Sequence, residues 1–412
     1  MKNMKPSASA LSRYEFKSDR RGTVIVLAVA MLIVAFGIAA FTVDFGMINV
    51  TKGQVQNAAD SAAHAAMQEL LKGIGPGATV TSQVAAANAG GKAQSMVQTF
   101  RSGDVTSTQL SVERDVRFGR RSWNPTTTQW VKEWGVTPYN MVEVSVRRTT
   151  AAGAPLGAIF SKVLGFNSFD VEARSVASMA PATGFKLPTS SNLSTGSSST
   201  GSSSTIDVLP IALDLTTWNN LVQQIYTGTS YGFQDQNRYN SAFGTVTSAS
   251  DGIPEVNIYP DANSSLPPGN RGTVDIGAAG NSTNDLKRQI QFGINANDLS
   301  YFPNGELKFN DQGVLHLNGD TGISAGIEDA LQSIIGQVRA IPIFITVSGP
   351  GNNADYTIVK FVGVRIMAVK LTGGPTQRYV RVQPAPYSSR FTNRGNIPVN
   401  VDSILSQPIL IE

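Results

Sequence analysis

Residues 23–72, TVIVLAVAMLIVAFGIAAFTVDFGMINVTKGQVQNAADSAAHAAMQELLK, join an uncharged apolar run to an alanine-rich run with no proline between them. The apolar part, 23–43, holds twelve Val, Ile, Leu or Phe residues and no charge. As an α-helix rising ~1.5 Å per residue it reaches ~32 Å, which matches the ~30 Å of a bilayer's hydrocarbon core. Those twelve side chains alone favour insertion by roughly 4–7 kcal/mol. Two other readings exist for such a run. A buried core helix would need protein on every side. A cleaved secretory signal could use the small residues Gly37 and Ala39, although this run exceeds the ~7–15 residues of an ordinary signal core. Anchored or cleaved, the segment leaves everything after it in the exported part of the chain.

The helical pattern continues past the apolar run. Val55, Ala59, Ala62, Ala66 and Leu70 recur at spacings of 4, 3, 4 and 4, the period of one helix face. Residues 23–72 therefore predict a single helix of ~75 Å, with Gly46 and Gly53 as places for a bend. Small side chains allow backbones to approach closely. Ala35 and Ala39 in the span, and Val55, Ala59, Ala62 and Ala66 beyond it, are the candidates for helix packing or assembly. The stripe from Val55 onward is expected to cover the chain's own sheet. Asp44 could act as an assembly charge, but at the end of the span a carboxylate can stay hydrated, and simple interfacial placement is the expectation.

The 412 residues are 41% hydrophobic and 15% charged, too apolar for disorder and poor in charge for a soluble enzyme. The absence of cysteine excludes disulfide frameworks, thiolate metal sites and cysteine nucleophiles. Two histidines, His64 and His316, leave little imidazole for metal or triad chemistry, and both are expected at solvated positions. Residues 1–21 carry six cations against two anions, whereas 206–412 carry 13 against 17. Cations crowded before an apolar run form a membrane pattern, unlike the basic folded face with interleaved aromatics expected of a nucleic-acid binder. With Arg20 and Arg21 before the span and Asp44 after it, the amino terminus belongs in the cytoplasm.

Residues 20–66, RRGTVIVLAVAMLIVAFGIAAFTVDFGMINVTKGQVQNAADSAAHAA, resemble the amino-terminal segment of the TadG and TadE-like proteins of bacterial Flp (tight adherence) pilus assembly. The resemblance is carried by Arg21-Gly22, by Val43-Asp44-Phe45-Gly46 and by Gln56-Asn57-Ala58-Ala59-Asp60-Ser61-Ala62-Ala63. Weaker likenesses follow at Asp115–Arg120, Met141–Thr149 and Phe160–Ala177, the last as a closing helix and strand. The resemblance implies a single-span protein of the bacterial inner membrane with a pilin-like or pseudopilin-like helix. Its amino terminus would be cytoplasmic and its later domains periplasmic or extracellular. The implied partners are the lipid bilayer, pilus or secretion assembly proteins and, through the N-terminal helix, a second copy of the chain. One departure concerns processing: the fifth residue after Gly22 is Leu27, where processed pilins keep a glutamate, so Gly22 is expected to stay joined to Thr23.

The remaining chain predicts an α+β architecture in two parts. In residues 73–188, Val80–Ala89 and Lys92–Phe100 suit helices interrupted by Gly90-Gly91. TQLSVERDVRF, TTQWVKEW, MVEVSVRR and FDVEARSVAS alternate as strands of an antiparallel sheet packed on the alanine helix. Trp123, Trp130 and Trp134 cluster there, either as partner anchors or, the preferred reading, as part of the sheet or its hairpin. Residues 189–205 hold 13 Ser or Thr in 17 and no charge, a linker that could also accept sugars. In 206–412, strands mixed with helices capped at Ser324 and at Asn281 or Ser282 favour an α/β domain.

Little in this second part announces chemistry. Relatives of TadG often carry a von Willebrand factor A domain here, whose cation site needs D-x-S-x-S. This chain offers Asp214, Thr216 and then Trp218, so one ligand is missing and no metal is expected. No P-loop, G-x-S-x-G or H-E-x-x-H occurs. The function expected is that of a non-enzymatic structural or assembly component without cofactors, catalytic residues or nucleic-acid partners. The alternative is a membrane-anchored adhesin or sensor whose von Willebrand factor A-like domain lacks its metal site.

Overall fold

The computed structural model describes residues 21–188, 204–260, 271–277, 282–349, 351–398, 400 and 402–411. The basic tail, apart from Arg21, and residues 189–203 of the hydroxyl-rich linker lie outside them. One helix, α1 (Arg21–Leu70), runs for 50 residues. Gly46 and Gly53 do not interrupt it, and no neighbour lies within 4 Å of a Cβ built at either position.

The outer half of α1 is the centre of the first layer. It packs on α2 (Ser82–Val97) and on an antiparallel sheet built from β1 (Val116–Asn124), β2 (Gln129–Trp134), β3 (Met141–Arg148) and β6 (Val171–Ser178). A small hairpin of β4 (Leu156–Gly157) and β5 (Ser168–Phe169) precedes β6. The core interleaves Val55, Ala59, Ala62 and Ala66 of α1 with Ala85, Ala89 and Ala93 of α2 and with Val142, Val144, Val146 and Ala173 of the sheet. Alanine gives up little surface, so this core gains from close approach and dense packing rather than from bulky side chains. The face away from α1 is charged, with Glu143 held between Arg117 at 2.6 Å and Arg174 at 3.1 Å.

Three local expectations change. Gly90-Gly91 does not divide α2, which runs unbroken through both; a Cβ at Gly90 would stand 2.5 Å from Val112 Cγ1, so the glycine makes room for a neighbour inside a continuous helix. Part of the expected strand before β1 is instead one helical turn, α3 (Val112–Asp115), in which the Asp115 carboxylate accepts from the Ser111 amide at 3.0 Å. The closing helix expected near Phe160 is likewise only a 3₁₀ turn, Ser161–Leu164.

Beyond β7 (Ala182–Lys186) the chain forms a second layer. Its sheet comprises β8 (Leu213–Asp214), β11 (Val256–Tyr259), β12 (Thr273–Val274), β14 (Leu315–Asp320), β15 (Val338–Ser348), β16 (Ala354–Lys370) and β17 (Tyr379–Pro384). A hairpin, β9 (Asn237–Asn240) with β10 (Thr245–Ser248), stands apart. The helices α4 (Leu215–Thr227), α5 (Thr283–Phe292), the single turn α6 (Ala296–Leu299) and α7 (Glu328–Gln332) alternate with strands as expected. Their caps include Ser282, whose hydroxyl accepts from the Asp285 amide at 3.1 Å, and Ser324, which caps the 3₁₀ turn leading into α7. Within this seven-stranded sheet the pairing is nevertheless antiparallel except for β8 beside β15. The long β15–β16 hairpin sets the direction of its neighbours, leaving one place for a parallel pair. Trp218, Leu221, Leu286, Ile290 and Leu331 cover one face of this sheet. On the other, Phe185 of β7 meets Phe361 edge-on at 5.2 Å.

The chain crosses the expected 189–205 boundary repeatedly. β7 pairs with β13 (Glu306–Lys308) and β19 (Thr392–Arg394), while β18 (Ser388–Ser389) and β20 (Leu405–Ser406) pair in parallel within the later part. β21 (Ile409–Leu410) returns to the edge of β6, giving the first sheet the order β2-β1-β3-β6-β21. Where the segment after α1 passes β17, a Cβ at Gly77 would lie 1.9 Å from the Pro384 carbonyl oxygen. Only glycine permits that approach.

Candidate functional site

The inner half of α1 is bare. From Val24 to Val43 every side chain is exposed except half-buried Ala40, and the apolar window has a mean hydropathy of 3.0 with none of it buried. Among the described residues it is the one helix long and apolar enough to cross a membrane. Ala35 and Ala39, one turn apart, lie exposed on this half.

Asp44 closes the bare segment, and here the expected hydrated carboxylate is corrected. Its residue is 2% exposed. Oδ1 accepts from the Ile159 amide at 3.0 Å and Oδ2 from the Ser161 amide at 2.6 Å; the Phe160 amide lies 3.2 Å from both oxygens. The Ser161 hydroxyl also donates to Oδ2. These amides open the 3₁₀ turn Ser161–Leu164, where unpaired N–H groups attract a carboxylate. Asp44 thus ties the helix to a loop more than a hundred residues downstream. Nearly three turns later, Gln54 Oε1 accepts from the Gly103 amide at 2.7 Å. Buried Arg148 fastens the adjoining loops, donating to the carbonyls of Ala154 at 2.7 Å and Pro155 at 3.0 Å and pairing with Asp104 at 2.6 Å.

Val55, Ala59, Ala62 and Ala66 are each 0% exposed. Their surroundings are α2, β3 and β6 of the same chain.

In the second layer, Asp214 caps α4 by accepting from the Thr217 amide at 2.8 Å. Its other oxygen is paired with Arg271, whose Nη2 stands 2.7 Å away. The same nitrogen donates to Thr217 Oγ1 at 2.7 Å, and Nη1 donates to the Asn257 carbonyl at 2.9 Å. Thr216 points outward while Trp218 is 1% exposed and donates through Nε1 to Asp402 at 2.7 Å. The three residues compared with a cation motif therefore do not converge. Arg271, which spacing alone gave no reason to select, is the partner of Asp214.

The tryptophans lie half-buried on the β1–β2 hairpin, Trp123 edge-on to Trp130 at 5.6 Å, with Arg121 over Trp130 and Arg117 over Trp134. His316 is exposed and its Nδ1 lies 3.0 Å from Asp355; His64 is half-buried, not fully solvated. A cavity of about 560 Å³ lies between the segment after α1 and the second layer, lined among others by Lys72, Tyr239, Arg365 and Gln383. A second, of about 210 Å³, is lined by Thr217, Glu255, Asn257, Arg271 and Arg381. Burial raises the Glu255 carboxyl above its ordinary range despite hydrogen bonds from Gln236 and Asn237. Among the described residues no group of three or more His, Asp or Glu side chains is placed to hold a metal ion.

A bare apolar helix that turns into the core helix of an α+β domain defines a class: membrane-anchored proteins whose anchor and folded domain share one helix. The TadE/G-like Flp pilus-assembly family matches residues 22–69, the segment that contains the bare half, Asp44 and the alanine stripe. No curated protein and no solved structure matches the chain.

Proposed function

We propose that this protein is a structural or assembly component of Flp/Tad-type pilus or secretion machinery, anchored in the bacterial inner membrane and acting through protein contacts rather than catalysis. The observation that carries the proposal is the division of α1. Within the family-matched segment, the outer stripe is filled by the chain's own sheet and helix, whereas Ala35 and Ala39 are exposed and unpacked among the described residues. Small residues in a lipid-facing helix favour packing with a second helix. The pseudopilin-like role is therefore assigned to the span, with assembly proteins or a second copy as its partners. The amino terminus lies in the cytoplasm and the domains beyond Asp44 on the opposite side. The span and its outward continuation, the sheet module to residue 188 and the region from 206 onward are the proposed functional divisions.

Photo-cross-linking in cells tests this. A photoreactive residue at Ala35 or Ala39 should yield adducts with pilus or secretion assembly proteins or with a second copy. The same residue at exposed Thr127 should yield none of these. Absence of protein adducts at both alanines, in cells that still make pili when the gene is deleted, would overturn the proposal.

A further inference from the structure

The loop tied down by Asp44 presents an unusual surface. Within eight residues it exposes Ile159 at 51%, Phe160 at 46%, Val163 at 90% and Phe166 at 61%. Lys162 beside them is exposed as well. Exposed apolar side chains are ordinary when scattered, but a cluster marks an interaction surface. The loop is not loosely placed. Ala158 donates to the Asn167 carbonyl at 3.0 Å, Gly165 to Lys162 at 3.1 Å and Phe166 to Ser161 at 3.1 Å, and the β4–β5 hairpin forms its base. Its position is set by the Asp44 carboxylate, ~32 Å along α1 from Thr23, the depth at which a spanning helix leaves the hydrocarbon.

We infer that the loop Ala158–Asn167 is a second membrane-contacting element, which inserts Phe160, Val163 and Phe166 into the lipid leaflet nearest the folded domain while Lys162 meets the headgroups. The occupant is lipid because the patch is continuous with the bare surface of α1: exposed Phe41 and Phe45 lie within one turn of Asp44 on the same helix. Internal bonding of the loop amides lowers the cost of approaching hydrocarbon, and a cation beside apolar side chains is the composition of an interfacial anchor. Two contacts, span and loop, would fix the orientation of the domain on the membrane, where a lone helix would leave it free to rotate. This inference rests on the membrane anchor proposed above.

The chain has no cysteine, so single cysteines can be labelled without background. Full-length Val163→Cys, carrying an environment-sensitive fluorophore, would be placed in phosphatidylcholine–phosphatidylglycerol vesicles containing doxyl-labelled lipid. Ile33→Cys in the span and Thr127→Cys at the β1–β2 turn serve as references. The Val163 label should emit at shorter wavelength than the Thr127 label and lose intensity most to doxyl groups near the headgroup, at the ~5–10 Å depth of interfacial elements. The Ile33 label should be quenched most by doxyl groups deep in the chains. Quenching at Ile33 with none at Val163 would overturn the loop's role and leave the anchor standing, including the case in which another protein covers the patch. No quenching at either would overturn both.

Discussion

Replacing Arg271 with methionine should destabilise the second layer by about 3–5 kcal/mol, the cost of leaving one member of a buried ion pair without its partner. The side chains of Arg271 and Asp214 are 3% and 7% exposed. The substitution strands Asp214 Oδ2, the Thr217 hydroxyl and the Asn257 carbonyl together, at the point where α4 leaves β8. Urea unfolding followed by the fluorescence of buried Trp218, with Trp123, Trp130 and Trp134 of the first layer replaced by phenylalanine, would read the loss. Combining Arg271→Met with Asp214→Leu should recover part of it, since removing both charges avoids the uncompensated carboxylate. A loss below about 0.5 kcal/mol, typical of surface substitutions, would mean that the pair does not close.

Ala62→Leu should cost about 1–3 kcal/mol by overpacking. Ala62 has no exposed surface and sits where α1 faces α2 and the sheet, so three added heavy atoms must displace backbone or neighbours. The thermal midpoint of the folded domain should fall by several degrees, whereas Ala35→Leu, in the bare half, should leave it unchanged. An unchanged midpoint for Ala62→Leu would mean that the outer face of α1 is not packed as described.

These two sites differ in how much of them the sequence discloses. The alanine stripe is legible because a helix face repeats locally, and its small residues already indicate close approach. The α+β character, most strands and the cap at Ser282 follow from short-range pattern in the same way. Asp44 is different. Its donors lie 115 to 117 residues away, and nothing near position 44 distinguishes a hydrated carboxylate from one that closes a loop. Arg271 is separated from Asp214 by 57 residues, and the return of β21 to β6 depends on tertiary register rather than on any feature of Ile409–Leu410. Gly90 resembles a helix breaker in sequence because a glycine's local effect is visible there, while the Val112 side chain that requires it is not.

The central claim is that α1 crosses a membrane with its first half and forms the core of the exported domain with its second. Alkaline phosphatase, which is active only outside the cytoplasm, tests it directly when fused at two positions. Fusion after Asn220 should give an active enzyme and fusion after Ser18 an inactive one; equal activity at both positions, or activity only at Ser18, would contradict the account.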